Sequence, residues 1–133
     1  MDGIGPLILY VEDEPAISEL AEVALEDAGY AVVGLASAAE AIAILDARAA
    51  DFAALVTDVD LRSELTGWDV ARHAREIAPS LPIIYVSGGS AGDWSSQGVP
   101  GSVMLAKPYA LAQLVVAVST ATVEGGGPGS LSN

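Results

Sequence analysis

The sequence contains no cysteine. Disulfides, thiolate nucleophiles and cysteine-held metals are therefore excluded, and nothing points to an oxidising compartment. Basic residues are scarce: 5 Lys and Arg stand against 18 Asp and Glu, giving a formal net charge of −13. A nucleic-acid surface needs clustered cations to neutralise phosphates, so direct DNA or RNA binding is not expected. Aromatic residues make up only 5% of a chain that is 52% hydrophobic, so the core must be built from Ala, Val, Leu and Ile. No apolar run approaches the ~20 residues of a membrane span. The N-terminal "MDGIGP" lacks the pattern of a secretion signal. A cytoplasmic protein without membrane contact is expected, and 133 residues suit one domain.

What is present alternates between two periodicities. "PLILYV" (6–11), "YAVVGLA" (30–36), "FAALVT" (52–57), "LPIIYVS" (81–87) and "SVMLA" (102–106) read as buried strands. Between them lie helical patterns. In 15–29, Ile17, Leu20, Ala21, Ala24, Leu25 and Ala28 recur at helical spacing, with Pro15 in the first turn and Gly29 as the stop. Ser37 and Glu40 form a capping-box pattern before a helix through about Ala49. Thr66 and Asp69 repeat the pattern before a helix carrying Val70, Ala71, Ala74 and Ile77. Segment 88–101 is rich in Gly and Ser, so a helix there should be short or loose. A last helix over 109–123 places Leu111, Leu114, Val115 and Val118 on one face, and 124–133 reads as a flexible tail after a domain spanning 1–123. Five strands alternating with helices argue for a doubly wound α/β sheet.

In such sheets ligands sit beyond the carboxyl ends of the strands. The residues just past the strands are Glu12 and Asp13 after the first, Asp58 after the third, Ser87 after the fourth and Lys107 after the fifth. Lys107 is the only lysine in the chain. Three acids held close together repel, and each would prefer protonation. A hard divalent cation removes that conflict; Mg²⁺ favours a few carboxylates, water and a phosphate oxygen. A carboxylate can act as nucleophile and form an acyl phosphate. Mg²⁺ and Lys107 would neutralise the charge on the transferring oxygens, and Ser87 could bond one of them. Singly, these features are ordinary: acids favour helix N-termini, and Ser-Gly-Gly is usually a turn. Their order on successive strand ends sets them apart.

The pieces "ILYVEDEP", "LVTDVDL", "IIYVSGG" and "LAKPY" make residues 6–122 resemble the receiver domain of two-component response regulators. That resemblance implies a flavodoxin-like fold with strand order 2-1-3-4-5 and helices on both faces. It implies that Glu12 and Asp13 are the Mg²⁺-binding acidic pair and that Asp58 is the phosphoacceptor. Asp60 would give its main-chain carbonyl to the metal, its side chain tuning dephosphorylation, while Ser87 and Lys107 contact the phosphoryl group. The implied donor is a histidine kinase or a histidine phosphotransfer protein. Phosphorylation and slow hydrolysis are then self-catalysed, without a separate enzymatic activity.

The sequence departs from the family at three places. The loop "LRSELTG" (61–67) lacks the common Met-Pro and is slightly long before Gly67, as in receivers of some proteobacterial hybrid kinases. The position that often carries a rotating aromatic switch holds Met104. Tyr85 and Tyr109 lie nearby, but neither is at that position.

Two other readings fit parts of the pattern. Haloacid-dehalogenase-like phosphatases also use Asp-x-Asp, Ser or Thr, and Lys. They need further acids after the lysine, however, and only Glu124 follows Lys107. A receiver-like interaction module that never turns over phosphate is the second. His73, within "ARHARE", is expected to be a solvated surface residue, and Trp68 and Trp94 to flank the site as reporters. No charge occurs from Pro108 to Val123. The face formed by helix four, strand five and helix five, including Leu111, Ala112 and Val116, is expected to contact either a second copy or an output protein. No output domain is expected after the last helix; output then runs through protein contacts, or the chain is a receiver cut from a larger sensor kinase.

Overall fold

Alternate side chains of a strand point to opposite faces of its sheet, so a wholly apolar strand needs cover on both. The computed structural model describes residues 5–125 and supplies that cover. Strands β1 (Leu7–Val11), β2 (Ala31–Leu35), β3 (Ala54–Asp58), β4 (Ile83–Ser87) and β5 (Val103–Ala106) form one parallel sheet. Their order is β2-β1-β3-β4-β5, as expected. Helices α1 (Pro15–Asp27), α2 (Ala38–Arg48), α3 (Gly67–Ile77), α4 (Trp94–Gln97) and α5 (Leu111–Gly125) connect or follow them.

The alternation divides the core in two. Leu9, Val11, Leu55, Ile83 and Tyr85 pack with Leu45 of α2 and with Val70 and Ala74 of α3. Ile8, Tyr10, Val56, Ile84 and Val86 pack with Ala21 and Leu25 of α1 and with Leu114 and Val118 of α5. The register pairs Val11 with Thr57, Asp58 with Val86 and Ser87 with Ala106. The first residue past β1 therefore lies level with the last residue of β3, and Lys107 leaves β5 one step beyond Ser87.

The caps form where the sequence places them. The Ser37 hydroxyl accepts the Glu40 amide at 3.1 Å. At α3 both halves of the capping box are made: Asp69 N–H donates to the Thr66 hydroxyl, and the Asp69 carboxylate accepts from Thr66 N–H at 2.8 Å. Segment 88–101 holds a 3₁₀ turn (Ala91–Asp93) and the single turn of α4. So short a helix gives β5 little cover, and Val103 at this sheet edge is exposed.

Several expectations change. Leu20 of α1 is 61% exposed rather than turned to the core, and Ile77 at the end of α3 is also exposed. On α1 only Ala21 and Leu25 are fully buried, because the short strands beneath accept a narrow stripe. His73 is not simply solvated: its Nε2 lies 2.7 Å from Asp46 Oδ1 and ties α3 to α2. The Trp94 indole donates to the Ser102 hydroxyl at 2.9 Å, toward the amino end of β5 and away from the strand ends that carry the acids. Trp94 therefore does not flank the site. Helix α5 runs through Gly125, past the expected break at 123–124. The rest of the expected tail, 126–133, lies outside the described residues.

Candidate functional site

Asp58 closes β3 and is buried. Its Oδ2 lies 3.3 Å from Lys107 Nζ, and its Oδ1 accepts the Asp60 amide at 3.0 Å. Glu12, just past β1, is also buried, with Oε2 accepting the Glu14 amide at 3.2 Å. Glu12 Oε1 is buried and accepts no hydrogen bond; the Lys107 ammonium stands 3.5 Å away. Asp13 lies at the rim, and its Oδ2 receives the Arg62 guanidinium at 2.8 Å. Carboxylate oxygens of Glu12, Asp13 and Asp58 all lie within 4.8 Å of one another.

The electrostatics follow from that crowding. Burial, then the neighbouring Asp58 charge, push Glu12 up to about 7 against the opposing pull of Lys107. Burial alone would lower the Lys107 ammonium, but Asp58 and Glu12 outweigh it and hold its pKa raised. One ammonium thus serves two buried acids and leaves Glu12 short of partners. An orphaned buried carboxylate oxygen beside two further carboxylates is a donor set that suits a hard divalent cation with part of its water retained. The residues present therefore fit Mg²⁺.

The hydroxyl arm has a partner of its own. Ser87 Oγ donates to Asp60 Oδ2 at 3.0 Å and accepts the Ser90 amide at 2.9 Å. Ser90 Oγ donates to Asp60 Oδ1 at 2.8 Å. The Asp60 side chain thus ties the start of the β4–α4 loop to the loop after β3. Ser87 is joined to Lys107 through the backbone, its carbonyl accepting Lys107 N–H at 2.8 Å. Gly67 explains how α3 comes so close: a Cβ there would stand 2.1 Å from the Asp58 carbonyl oxygen. Trp68 follows directly and packs on Tyr85, ring centroids 4.6 Å apart. Of the two tryptophans, it is the reporter near the site.

All five residues read at the strand ends thus converge, together with Asp60. Met104 is partly buried on the α3 side of β5, packed against that core. Tyr85 is fully buried, and its hydroxyl accepts Val99 N–H at 3.1 Å. Sequence reasoning missed Arg62 and Ser90. Arg62 could have been found by the logic applied to Lys107, since it is the one cation between Arg48 and Arg72 and follows the Asp58-Val-Asp60 triplet.

Two surfaces border this edge. Ile17, Leu20, Pro108, Tyr109 and Leu111 join Lys107 in lining a groove of about 500 Å³ between α1 and the start of α5. Leu111 packs against the α1–α5 core, as its place on one face with Leu114, Val115 and Val118 implies, and so does not belong to the expected contact face with Ala112 and Val116. On the outer face of α5, Ala112 is exposed and Val116 is 63% exposed. No helix among the described residues is long and apolar enough to cross a membrane.

Comparison with known proteins points the same way. The family model described as "Response regulator receiver domain" matches residues 8–119. The chain is 33% identical over 114 residues to the sensor kinase CckA of Brucella abortus, covering 84% of this chain but 12% of that protein. It is 34% identical to the response regulator receiver protein CpdR of the same organism, covering 81% of this chain and 89% of CpdR. A receiver protein structure from Sinorhizobium medicae matches at TM-score 0.87 and 42% identity, covering 91% of this chain and 97% of that one. The receiver domain of sensor histidine kinase PA1611 from Pseudomonas aeruginosa, solved with magnesium coordinated in its active-site cleft, matches at TM-score 0.76 and 27% identity, covering 89% and 98%. Between the receiver and the dehalogenase-like phosphatase that the acidic pattern alone left open, sheet order and family match agree on one, and the chain belongs to the response regulator receiver domains of two-component systems.

Proposed function

We propose that this receiver takes a phosphoryl group onto Asp58 from a phosphohistidine donor, in an Mg²⁺-dependent reaction, and signals through protein contacts. The observation that carries this reading is the Asp58 carboxylate, buried at the end of β3 within 3.3 Å of the sole lysine and beside two further acids. Asp13, Asp58 and the main-chain carbonyl of Asp60 would hold the ion, with Glu12 acting through water. When bound, Mg²⁺ supplies positive charge against the oxygens of the transferring group. An Asp58 oxygen attacks phosphorus as the P–N bond to the donor imidazole breaks, and the imidazole keeps the electron pair. Lys107 stays with the new acyl phosphate and balances its charge. Ser87 turns from Asp60 to a phosphoryl oxygen, and that turn frees the Ser90 amide while the Ser90 hydroxyl stays on Asp60. The test is labelling by acetyl phosphate with and without Mg²⁺, read by intact mass. One added phosphoryl group that requires the metal is expected; none in either condition would leave only the interaction-module reading.

The donor is a histidine kinase or a phosphotransfer protein, and the groove beside Lys107 supports a place for it. Its apolar lining ends at the ammonium that faces Asp58. A helix carrying a phosphohistidine and a small apolar patch suits both. Leu20→Asp is expected to slow transfer from a protein donor by about tenfold or more, the cost of losing one well-placed apolar anchor. Labelling by acetyl phosphate should stay at the parent rate, because the small donor needs no groove. Equal rates from a protein donor would remove the groove from the contact.

For output, the outer face of α5 with Ala112 and Val116 is proposed as the contact, with a second copy or an output protein. The apolar side chains exposed there, with no charge from Leu111 to Val123, support this reading. Val116→Glu is expected to abolish self-association or partner capture in sedimentation and pull-down, with phosphorylation unchanged. If both persisted, α5 would be excluded.

A further inference from the structure

Arg62 is the one cation at the site with no part in the proposed transfer. It sits in the loop between β3 and α3, with its side chain 69% exposed, and reaches back to Asp13 Oδ2 at 2.8 Å. Its backbone is unusual too. Among the described residues it is the only non-glycine with positive φ, at 51°. A residue with a Cβ occupies that region at a cost, so something must hold it there. The loop's other restraints do not reach β1: Asp60 takes the Ser87 and Ser90 hydroxyls of the β4–α4 loop, Gly67 N–H bonds Val59 O across its base, and Ser63 Oγ bonds Leu65 O within it. The tie from Arg62 to Asp13 is the one that crosses to β1.

The charges divide cleanly. Lys107 faces Asp58 and Glu12, and Arg62 faces Asp13. Asp13 is also the most accessible of the three acids. We propose that Arg62 is a built-in counter-ion for Asp13 that competes with the divalent metal, so that metal entry displaces the guanidinium and releases the tie between the β3–α3 loop and the end of β1. A guanidinium and a divalent ion cannot share one carboxylate oxygen without repulsion. The guanidinium, singly charged, exposed and held on a long stem, is the one that leaves. Arg62 thus couples occupancy of the metal site to the conformation of a loop that borders Asp58. The inference rests on the reading of Glu12, Asp13 and Asp58 as the Mg²⁺ site.

The test is calorimetric titration of the unphosphorylated protein with Mg²⁺ alone. Arg62→Ala and Arg62→Gly, the second free of backbone strain, are each expected to bind Mg²⁺ about two- to fivefold more tightly, the scale of an exposed ion pair. The gain should shrink in high salt, where such pairs are screened. Arg62→Lys keeps the charge and should stay near the parent. Arg48→Ala removes a distant exposed cation, paired with Asp51, and should leave the affinity unchanged. Unchanged or weaker binding in both Arg62→Ala and Arg62→Gly overturns the proposal while leaving the metal site intact. An equal gain in Arg48→Ala overturns it as well, because net charge would then be the cause. If the parent bound no Mg²⁺, the metal site and the proposal would fall together.

Discussion

The Asp58→Asn protein, given acetyl phosphate and Mg²⁺, is expected to show no acyl phosphate, a loss of about a thousandfold or more in labelling rate. Asparagine has the same shape as aspartate but a neutral amide, and its oxygen is too weak a nucleophile to displace a phosphoryl leaving group. The surroundings should survive the change. Asp60 N–H keeps an acceptor if the amide oxygen takes the place of Oδ1, and Lys107 keeps Glu12. Glu12 meanwhile loses the like charge that helps push its carboxyl up to about 7. Thermal unfolding should therefore give a Tm no lower than the parent's, which separates lost chemistry from lost fold. Intact mass after labelling decides the matter. A stable phosphoryl group on the Asp58→Asn protein would place the acceptor elsewhere, and a collapse in Tm would make the variant uninformative about chemistry but informative about how far the buried acid holds the edge together.

The sheet was legible because its strands are short, apolar and separated by capped helices. Ser37 and Thr66 announce the starts of α2 and α3, and both caps form. The strand-end rule then located Glu12, Asp13, Asp58, Ser87 and Lys107 without any knowledge of their distances. What it could not locate was set by side chains crossing between loops. Arg62 reaches Asp13 over a separation of 49 residues, and Ser90 reaches Asp60 over 30. No periodicity or cap pattern encodes such pairs. Leu20 was misread for a different reason: helical spacing says which residues share a face, but the width of the stripe buried depends on the sheet beneath. Leu20 lies at the margin of that stripe and lines the groove beside Lys107.

Removal of Asp13 is expected to have the next largest effect. In Asp13→Ala, Mg²⁺ affinity should fall at least about tenfold, the scale that losing even an outer-shell partner of a metal ligand can reach. Asp13 is the one acid of the three at the rim, and neither of its oxygens is held by the Lys107 ammonium. Glu12 stands differently: buried, with one oxygen on the Glu14 amide and the other facing Lys107. Mg²⁺ dehydrates reluctantly and keeps several waters, so Glu12, whose oxygens already face the Glu14 amide and Lys107, is the acid proposed to act through water. Glu12→Gln should accordingly weaken binding less than Asp13→Ala, and it should raise stability by removing a desolvated charge beside Asp58. Trp68, packed on Tyr85 next to the Gly67 that abuts Asp58, reports the titration by fluorescence, while Trp94 is turned away toward Ser102. Replacing Trp94 should therefore leave the metal-dependent signal intact. Should Asp13→Ala bind Mg²⁺ as tightly as the parent, the rim carboxylate is no ligand, and the ion would have to be held by Asp58, the Asp60 carbonyl and Glu12.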